Sequence, residues 1–417
     1  MASLRVIGGR ALSGSVSVEG NKNSALPLIA ACLLTDQTCE IGNVPRIRDV
    51  DVLLDLLEGL GARVEGRGTT ALRITCERIV SDVPDPALVG KLRGSVLLLG
   101  PLLARRGVAR LAEPGGDFPA RRAISTHVDA LVAMGATVLD EPGHALACPD
   151  GLRGASLYLE EASVTGTETA LLGAAAARGV TELRHAAMEP HVVELCVFLR
   201  AMGAGVEGEG TPTIRVHPPA RLGGAHHTLE GDYIEAGSWG VVAAITGGEI
   251  DVTGARSRDL EVIAAPLKRM GVKCSYDDDR LRVAPSRLRA TRRITTGLWP
   301  GFPSDMISLV TVLATQAPGR TLVHDWLYEL RLFALEQLSA MRADLFLCDP
   351  HRIIVTGPTR LRGRALDSRD LRSGMALIAA ALAADGESSI APIETVERGY
   401  ASLVDRLRSL GAQVQRE

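Results

Sequence analysis

The chain has 417 residues, enough for two or more domains with separate cores. A net charge of −3 and a pI near 6.3 give no electrostatic case for a nucleic-acid or membrane partner. Seven Cys without a CxxC pair indicate neither a disulfide framework nor a zinc site. Residues 1–7 carry no basic region leading into a long apolar run, and no apolar run reaches bilayer-crossing length. The expectation is a soluble chain in a reducing cytoplasm. Aromatic content is only 3%, so Ala, Leu, Val and Gly must make closely packed helix and strand layers.

The first informative stretch is Gly20-Asn21-Lys22-Asn23, which opens directly into an apolar segment ending at Leu34. The segment is too apolar for a surface and too short for a membrane, which predicts a buried helix. A helix start has unpaired N–H groups and a partial positive charge, yet a Lys stands there, so an anion is expected to meet both. The plainer alternative is a Lys reaching out into water.

Further along, an amphipathic helix closing on a Gly turn before a strand recurs six times. It ends at Gly61-Ala62, Gly135-Ala136, Gly203-Ala204, Gly271-Val272, the degenerate Arg342-Ala343, and Gly411-Ala412. The spacing of roughly 70 residues suits a small α/β unit. Gly tolerates the left-handed residue that closes a helix, so Arg342 should sit in a strained or differently closed turn. Alternating with these ends are six nearly all-apolar helices. Their polar starts lie at Lys22, Arg93, Ser163-Val164-Thr165, Asp232, Ser304-Asp305 and Asp370-Leu371-Arg372. Short alternating segments such as Glu249-Ile250-Asp251-Val252-Thr253 read as strands. Lys22, Arg93, Asp305 and Arg372 hold the same place in different copies. Each charge costs desolvation unless paired, so the pattern favours an anionic ligand bound between two three-unit halves; internal ion pairs are the alternative.

Taken together, Gly20-Asn21-Lys22-Asn23, Asn43-Val44-Pro45-Arg46-Ile47-Arg48-Asp49, Arg93-Gly94-Ser95 and Pro114-Gly115-Gly116-Asp117 resemble the enolpyruvyl transferases. So do Phe302-Pro303-Ser304-Asp305-Met306, Asp370-Leu371-Arg372 and Arg398-Gly399-Tyr400, and the resemblance spans essentially the whole chain. It implies an α/β fold of two inside-out barrels, or prisms, with three units in each. By that similarity one domain is residues 1–22 plus 231–417 and the other is 23–230, with a mobile loop at 113–122. The implied reaction moves the enolpyruvyl group of phosphoenolpyruvate to the 3-hydroxyl of UDP-N-acetylglucosamine and releases phosphate, at the start of peptidoglycan precursor synthesis. No cofactor and no metal are implied, and the partners are these two small molecules, with no nucleic acid or membrane.

The resemblance also implies roles. Lys22, Asn23, Arg122, Arg331, Arg372 and Arg398 would grip phosphoenolpyruvate, Arg being suited by its planar fork. Asn23, Arg93, Arg122, Ser163, Val164 and Asp305 would meet the UDP-sugar, with Asp370 and Leu371 in support. The reaction needs an acid for C3 and a base for the acceptor hydroxyl. Asp305 matches the base, and Asp117 stands where many members carry a Cys acid. Fosfomycin, which alkylates that Cys, is therefore expected to leave this chain unmodified. The run Arg122-Ala123-Ile124-Ser125-Thr126-His127 departs from the family's uracil-holding pattern and keeps only Arg122 and His127. Another acceptor, such as a UMP-type nucleotide or shikimate 3-phosphate, is the alternative, and a non-catalytic binding relative is a third reading. No GxxxxGK[ST] or GxGxxG fingerprint is present, and His226-His227 lack a third ligand at useful spacing.

Overall fold

A computed structural model of the chain describes residues 2–116, 123–329 and 331–417. The fold is α/β, and the chain divides into two compact units. The terminal unit holds residues 2–19 and 231–417; the central unit holds 20–116 and 123–230.

The terminal unit is built on three four-stranded sheets. In one, Glu249–Thr253 runs parallel to Ser13–Ser17 and antiparallel to Arg280–Ala284. In the second, Leu4–Ile7 lies between Glu387–Ala391 and Gln413–Arg416. In the third, Gly319–His324 pairs in parallel with Arg293–Thr295 and antiparallel with Arg352–Gly357. The apolar helices Tyr233–Thr246, Ile307–Thr315 and Leu371–Ala383 pack on one another and are buried nearly end to end. Having no polar face, they have no stable place except inside protein. Amphipathic Ser257–Arg269 instead buries one stripe, with Leu260, Ile263, Ala264 and Leu267 inward.

In the central unit the buried helices are Lys22–Ala31, Leu99–Arg106 and Val164–Ala175. The amphipathic helices there include Arg48–Gly59 and Pro190–Ala201. Arg93–Leu98, expected as the start of an α-helix, is a 3₁₀ stretch that runs into Leu99–Arg106. Ser304–Met306 in the terminal unit makes the same kind of tight first turn before Ile307–Thr315.

The repeated helix stops adopt positive φ at Gly61, Gly135, Gly203, Gly271 and Gly411, and Arg342 takes it too, with φ of 72°. A non-Gly residue there pays a local steric cost of roughly 1–2 kcal/mol, so the Arg342 stop is the strained one. Two other glycines are fixed by close approach. A Cβ on Gly20 would stand 1.8 Å from the Asn43 carbonyl oxygen, and one on Gly231 would stand 1.8 Å from that of Gly254. Among the described residues no helix is long and apolar enough to cross a membrane.

Candidate active site

In the terminal unit, the polar starts of two buried helices are brought together. Asp370 caps Leu371–Ala383: its Oδ1 accepts the Arg372 and Ser373 N–H groups, each at 2.9 Å. Buried Leu371 anchors the turn, and Arg372 is thereby held at the helix start with a side chain only 6% exposed. Arg372 Nη2 lies 2.8 Å from Asp305 Oδ2, and its Nε donates to the same oxygen at 3.1 Å. From the other side, Arg331 Nη1 donates to Asp305 Oδ1 at 3.0 Å. Asp305, 27% exposed, is thus clasped by two guanidinium groups.

That geometry sets its protonation. Burial opposes ionisation of Asp305, but the charges of Arg372 and Arg331 and their hydrogen bonds outweigh it. Its carboxyl is held well below the usual carboxylate range. Burial likewise works against the charge of Arg372, and Asp305 reverses the balance, raising its pKa.

The cluster extends in both directions. Arg372 Nη1 donates to the hydroxyl of Tyr400 at 3.4 Å, and that hydroxyl lies 2.8 Å from Ser238 Oγ. Burial pushes the Tyr400 phenol up. Arg331 stacks over Tyr328 at 4.3 Å and also donates from Nη1 to Ser304 Oγ at 2.9 Å. Ser304 in turn donates to the fully buried carboxylate of Asp325 at 2.6 Å. Arg398 is half-buried two residues before Tyr400, at the end of the Glu394–Glu397 helix.

In the central unit, Asn21 caps Lys22–Ala31 by accepting the Asn23 N–H at 2.8 Å. Lys22 Nζ lies 2.7 Å from Asp49 Oδ2, with the two side chains 12% and 4% exposed. The anion that meets this Lys is therefore a carboxylate of the protein itself. Asp49 sits in the first turn of Arg48–Gly59, where the helix field also favours its charge. Arg93 Nη2 donates to the Ala123 carbonyl at 2.9 Å. Ser163 Oγ accepts the Gly166 N–H at 3.2 Å and caps Val164–Ala175. Buried His127 pairs through Nε2 with Thr165 Oγ1 at 2.8 Å, in the first turn of the same helix. Within that helix, Glu168 is buried with no partner for Oε1 among the described residues; burial, then the nearby charge of Glu189, pushes its carboxyl well up.

Gly115 N, in the described part of the 113–122 stretch, donates to the Val89 carbonyl at 3.0 Å. A Cβ on Gly115 would lie 2.1 Å from the Gly90 oxygen. Asp117 and Arg122 lie outside the described residues. Among the described residues no group of three or more His, Cys, Asp or Glu could hold a metal ion.

Sequence reasoning named Asp305, Arg331 and Arg372, which the structure brings into contact. It gave no role to Ser304, Asp325, Tyr400 or Ser238, which hold them. Ser304 and Tyr400 were within reach because they adjoin site residues. Asp325 carried a weaker signal, as a charged residue directly after the strand Gly319–His324.

A family model described as EPSP synthase (3-phosphoshikimate 1-carboxyvinyltransferase) matches residues 6–407. The chain is 43% identical to the UDP-N-acetylglucosamine 1-carboxyvinyltransferase of Bradyrhizobium diazoefficiens, over 100% of this chain and 99% of that protein. It is 41% identical to the enzyme of the same name from Treponema pallidum, over the full length of both. Among solved structures, the enolpyruvyl transferase NikO from Streptomyces tendae superposes with a TM-score of 0.88 at 26% identity, over 100% and 99% of the two chains. EPSP synthase from Acinetobacter baumannii shares the fold, with a TM-score of 0.77 at 19% identity over the full length of both chains.

Proposed function

The chain belongs to the EPSP synthase family of enolpyruvyl transferases, and from that premise we propose that it is a UDP-N-acetylglucosamine 1-carboxyvinyltransferase. It moves the enolpyruvyl group of phosphoenolpyruvate to the 3-hydroxyl of UDP-N-acetylglucosamine and releases inorganic phosphate, a cytoplasmic step toward peptidoglycan. The observation carrying the acceptor is the full-length similarity to curated enzymes of that name. The proposed architecture is an inside-out α/β prism in each unit, with residues 1–22 and 231–417 as one domain and 23–230 as the other.

In the proposed chemistry the sugar 3-oxygen adds to C2 of phosphoenolpyruvate while a proton is delivered to C3. The adduct then loses the C3 proton and the C2–O bond to phosphate, restoring the double bond. Asp305 takes the hydroxyl proton and Asp117 serves C3. Arg331, Arg372 and Arg398, with Lys22 and Arg122, receive the phosphate and carboxylate. Asn23, Arg93, Ser163 and Val164 are assigned to the UDP-sugar.

Clasped by two guanidinium groups, Asp305 is a weak base in the free protein. A substrate anion that drew either Arg away would restore its basicity, so the base would gain proton affinity only once phosphoenolpyruvate has arrived. A mere binding protein has no need of a carboxylate tuned in this way. The test is phosphate release from phosphoenolpyruvate with UDP-N-acetylglucosamine, UMP and shikimate 3-phosphate offered separately. Release with the sugar nucleotide is expected. Release with another acceptor alone would replace the assignment, and none with any acceptor would remove the enzymatic reading.

A further inference from the structure

Asp325 is a fully buried carboxylate for which neither helix capping nor an ion pair accounts, since no Lys, Arg or His nitrogen lies within ion-pair distance of it among the described residues. Burying a carboxylate is costly unless its oxygens are filled by donors, and here they are filled by neutral ones. Oδ1 accepts from Thr296 Oγ1 at 2.9 Å and from the Leu327 N–H at 3.2 Å. Oδ2 accepts from Ser304 Oγ at 2.6 Å. Its backbone is pinned as well, the N–H donating to the His351 carbonyl at 2.8 Å and the carbonyl lying 2.7 Å from His351 Nδ1.

The Ser304 bond gives Asp325 a reach beyond its own turn. A carboxylate can only accept, so the single Ser304 hydroxyl hydrogen must point at Oδ2. The lone pairs of that oxygen are then turned away from Asp325, and one of them accepts Arg331 Nη1 at 2.9 Å. The same Nη1 reaches Asp305 Oδ1 at 3.0 Å. The order is therefore Asp325, Ser304, Arg331, Asp305, with each donor direction dictated by the residue before it. Burial works against the charge of Arg331, while Asp305, then Tyr328 and then Asp325 raise its pKa, leaving it raised overall.

We infer that Asp325 is a positioning residue: it fixes the Ser304 hydroxyl, which in turn holds the Arg331 fork in the orientation that receives the anion of phosphoenolpyruvate. The inference rests on the proposed function for the identity of that anion. Asp325→Asn is nearly isosteric and can keep the Thr296 and Leu327 contacts through its oxygen. It then presents an N–H₂ to Ser304 Oγ, whose hydrogen loses its Oδ2 acceptor, so the hydroxyl and the lone pair it offers Arg331 are no longer held in one direction.

The experiment compares wild type, Asp325→Asn, Ser304→Ala, the double variant and Ser304→Thr. It reads phosphate release at varied phosphoenolpyruvate, and calorimetric binding of phosphoenolpyruvate with UDP-N-acetylglucosamine present. The expected result is a rise of about 10-fold or more in KM and Kd for phosphoenolpyruvate in either single variant, with kcat changed less. The double variant should be no worse than the poorer single one, and Ser304→Thr, which keeps the hydroxyl, should stay near wild type. Unchanged KM and Kd in both single variants, even with lowered melting temperatures, would make Asp325 purely structural and overturn the inference. If Asp325→Asn does not fold, Ser304→Ala against Ser304→Thr still tests the link through the hydroxyl, and an unchanged KM and Kd in Ser304→Ala overturns the inference. A wild type that binds phosphoenolpyruvate without turnover would sink the proposed function and leave the binding comparison readable.

Discussion

Replacing Arg372 by Met tests whether phosphoenolpyruvate competes with the protein's own carboxylate. Two unit charges about 4 Å apart interact by about 4 kcal/mol at an effective dielectric of 20. Asp305 is 27% exposed, so screening lowers the Arg372–Asp305 attraction to roughly 2–3 kcal/mol. Losing an enclosed, hydrogen-bonded charge contact to the ligand costs roughly 4–5 kcal/mol. In the variant, however, there is no Arg372–Asp305 pair to break before binding, which offsets part of that loss. The net is roughly 1–3 kcal/mol, or about a 5- to 150-fold rise in KM for phosphoenolpyruvate. Arg372→Lys keeps the charge and loses the fork, so it should fall between. With one guanidinium gone, Asp305 should also titrate nearer the ordinary range, and the acid side of the rate profile should move to higher pH. The assay is initial phosphate release at varied phosphoenolpyruvate and saturating UDP-N-acetylglucosamine, from pH 3 to 8. A KM within threefold of wild type for Arg372→Met would refute this account of the site.

Burial raises Glu235 to about 7 despite its ion pair with Arg406 and the Trp239 Nε1 hydrogen bond at 3.1 Å. The unfolded chain releases this proton near 4.5, so stability is fully present below that pH and falls by about 3 kcal/mol as pH rises past 7. Glu235→Gln should remove that slope, as read by urea unfolding at pH 5.5 and 8; an unchanged slope counts against it. Glu168→Gln should act in the same direction in the central unit, because burial raises that carboxyl too. Gly374→Ala would place a Cβ 2.4 Å from Ser368 Oγ and 2.6 Å from Val396 Cγ2. It should cost about 1–3 kcal/mol, visible as a lowered melting temperature. Fosfomycin should leave no covalent adduct on the intact protein by mass spectrometry, and an adduct on Asp117 would contradict the reading of that position.

The buried helices were legible because each is a long apolar run with no polar face, a pattern that only an interior can satisfy. The helix stops were legible for a similar reason: a left-handed residue constrains side-chain choice so strongly that even the Arg342 exception could be anticipated. What local pattern could not supply was pairing. Lys22 was expected to meet an anion, and it meets Asp49, which lies on another helix. Asp305 and Arg331 are separated by 26 residues and Asp305 and Arg372 by 67, so their contacts follow from how the sheets and helices stack. The 3₁₀ turns at Arg93–Leu98 and Ser304–Met306 were also hidden, because apolar periodicity does not distinguish a tight first turn from an α-helical one.

Under the proposed function, the resident carboxylate of Asp305 has a consequence for which molecules the free terminal unit ignores. A cell contains far more chloride, monoanionic metabolites and free acidic side chains than phosphoenolpyruvate. A cationic pocket left open would bind that background continuously. Here a newcomer must outcompete a carboxylate already fixed in place at no translational cost. A monoanion offers nothing that the resident does not. A compact trianion can satisfy several cations at once, and so can cross the threshold. Under the proposed function, the Arg331 and Arg372 pairs with Asp305 thus act as a charge-number filter, making abundance alone a poor route to those two cations.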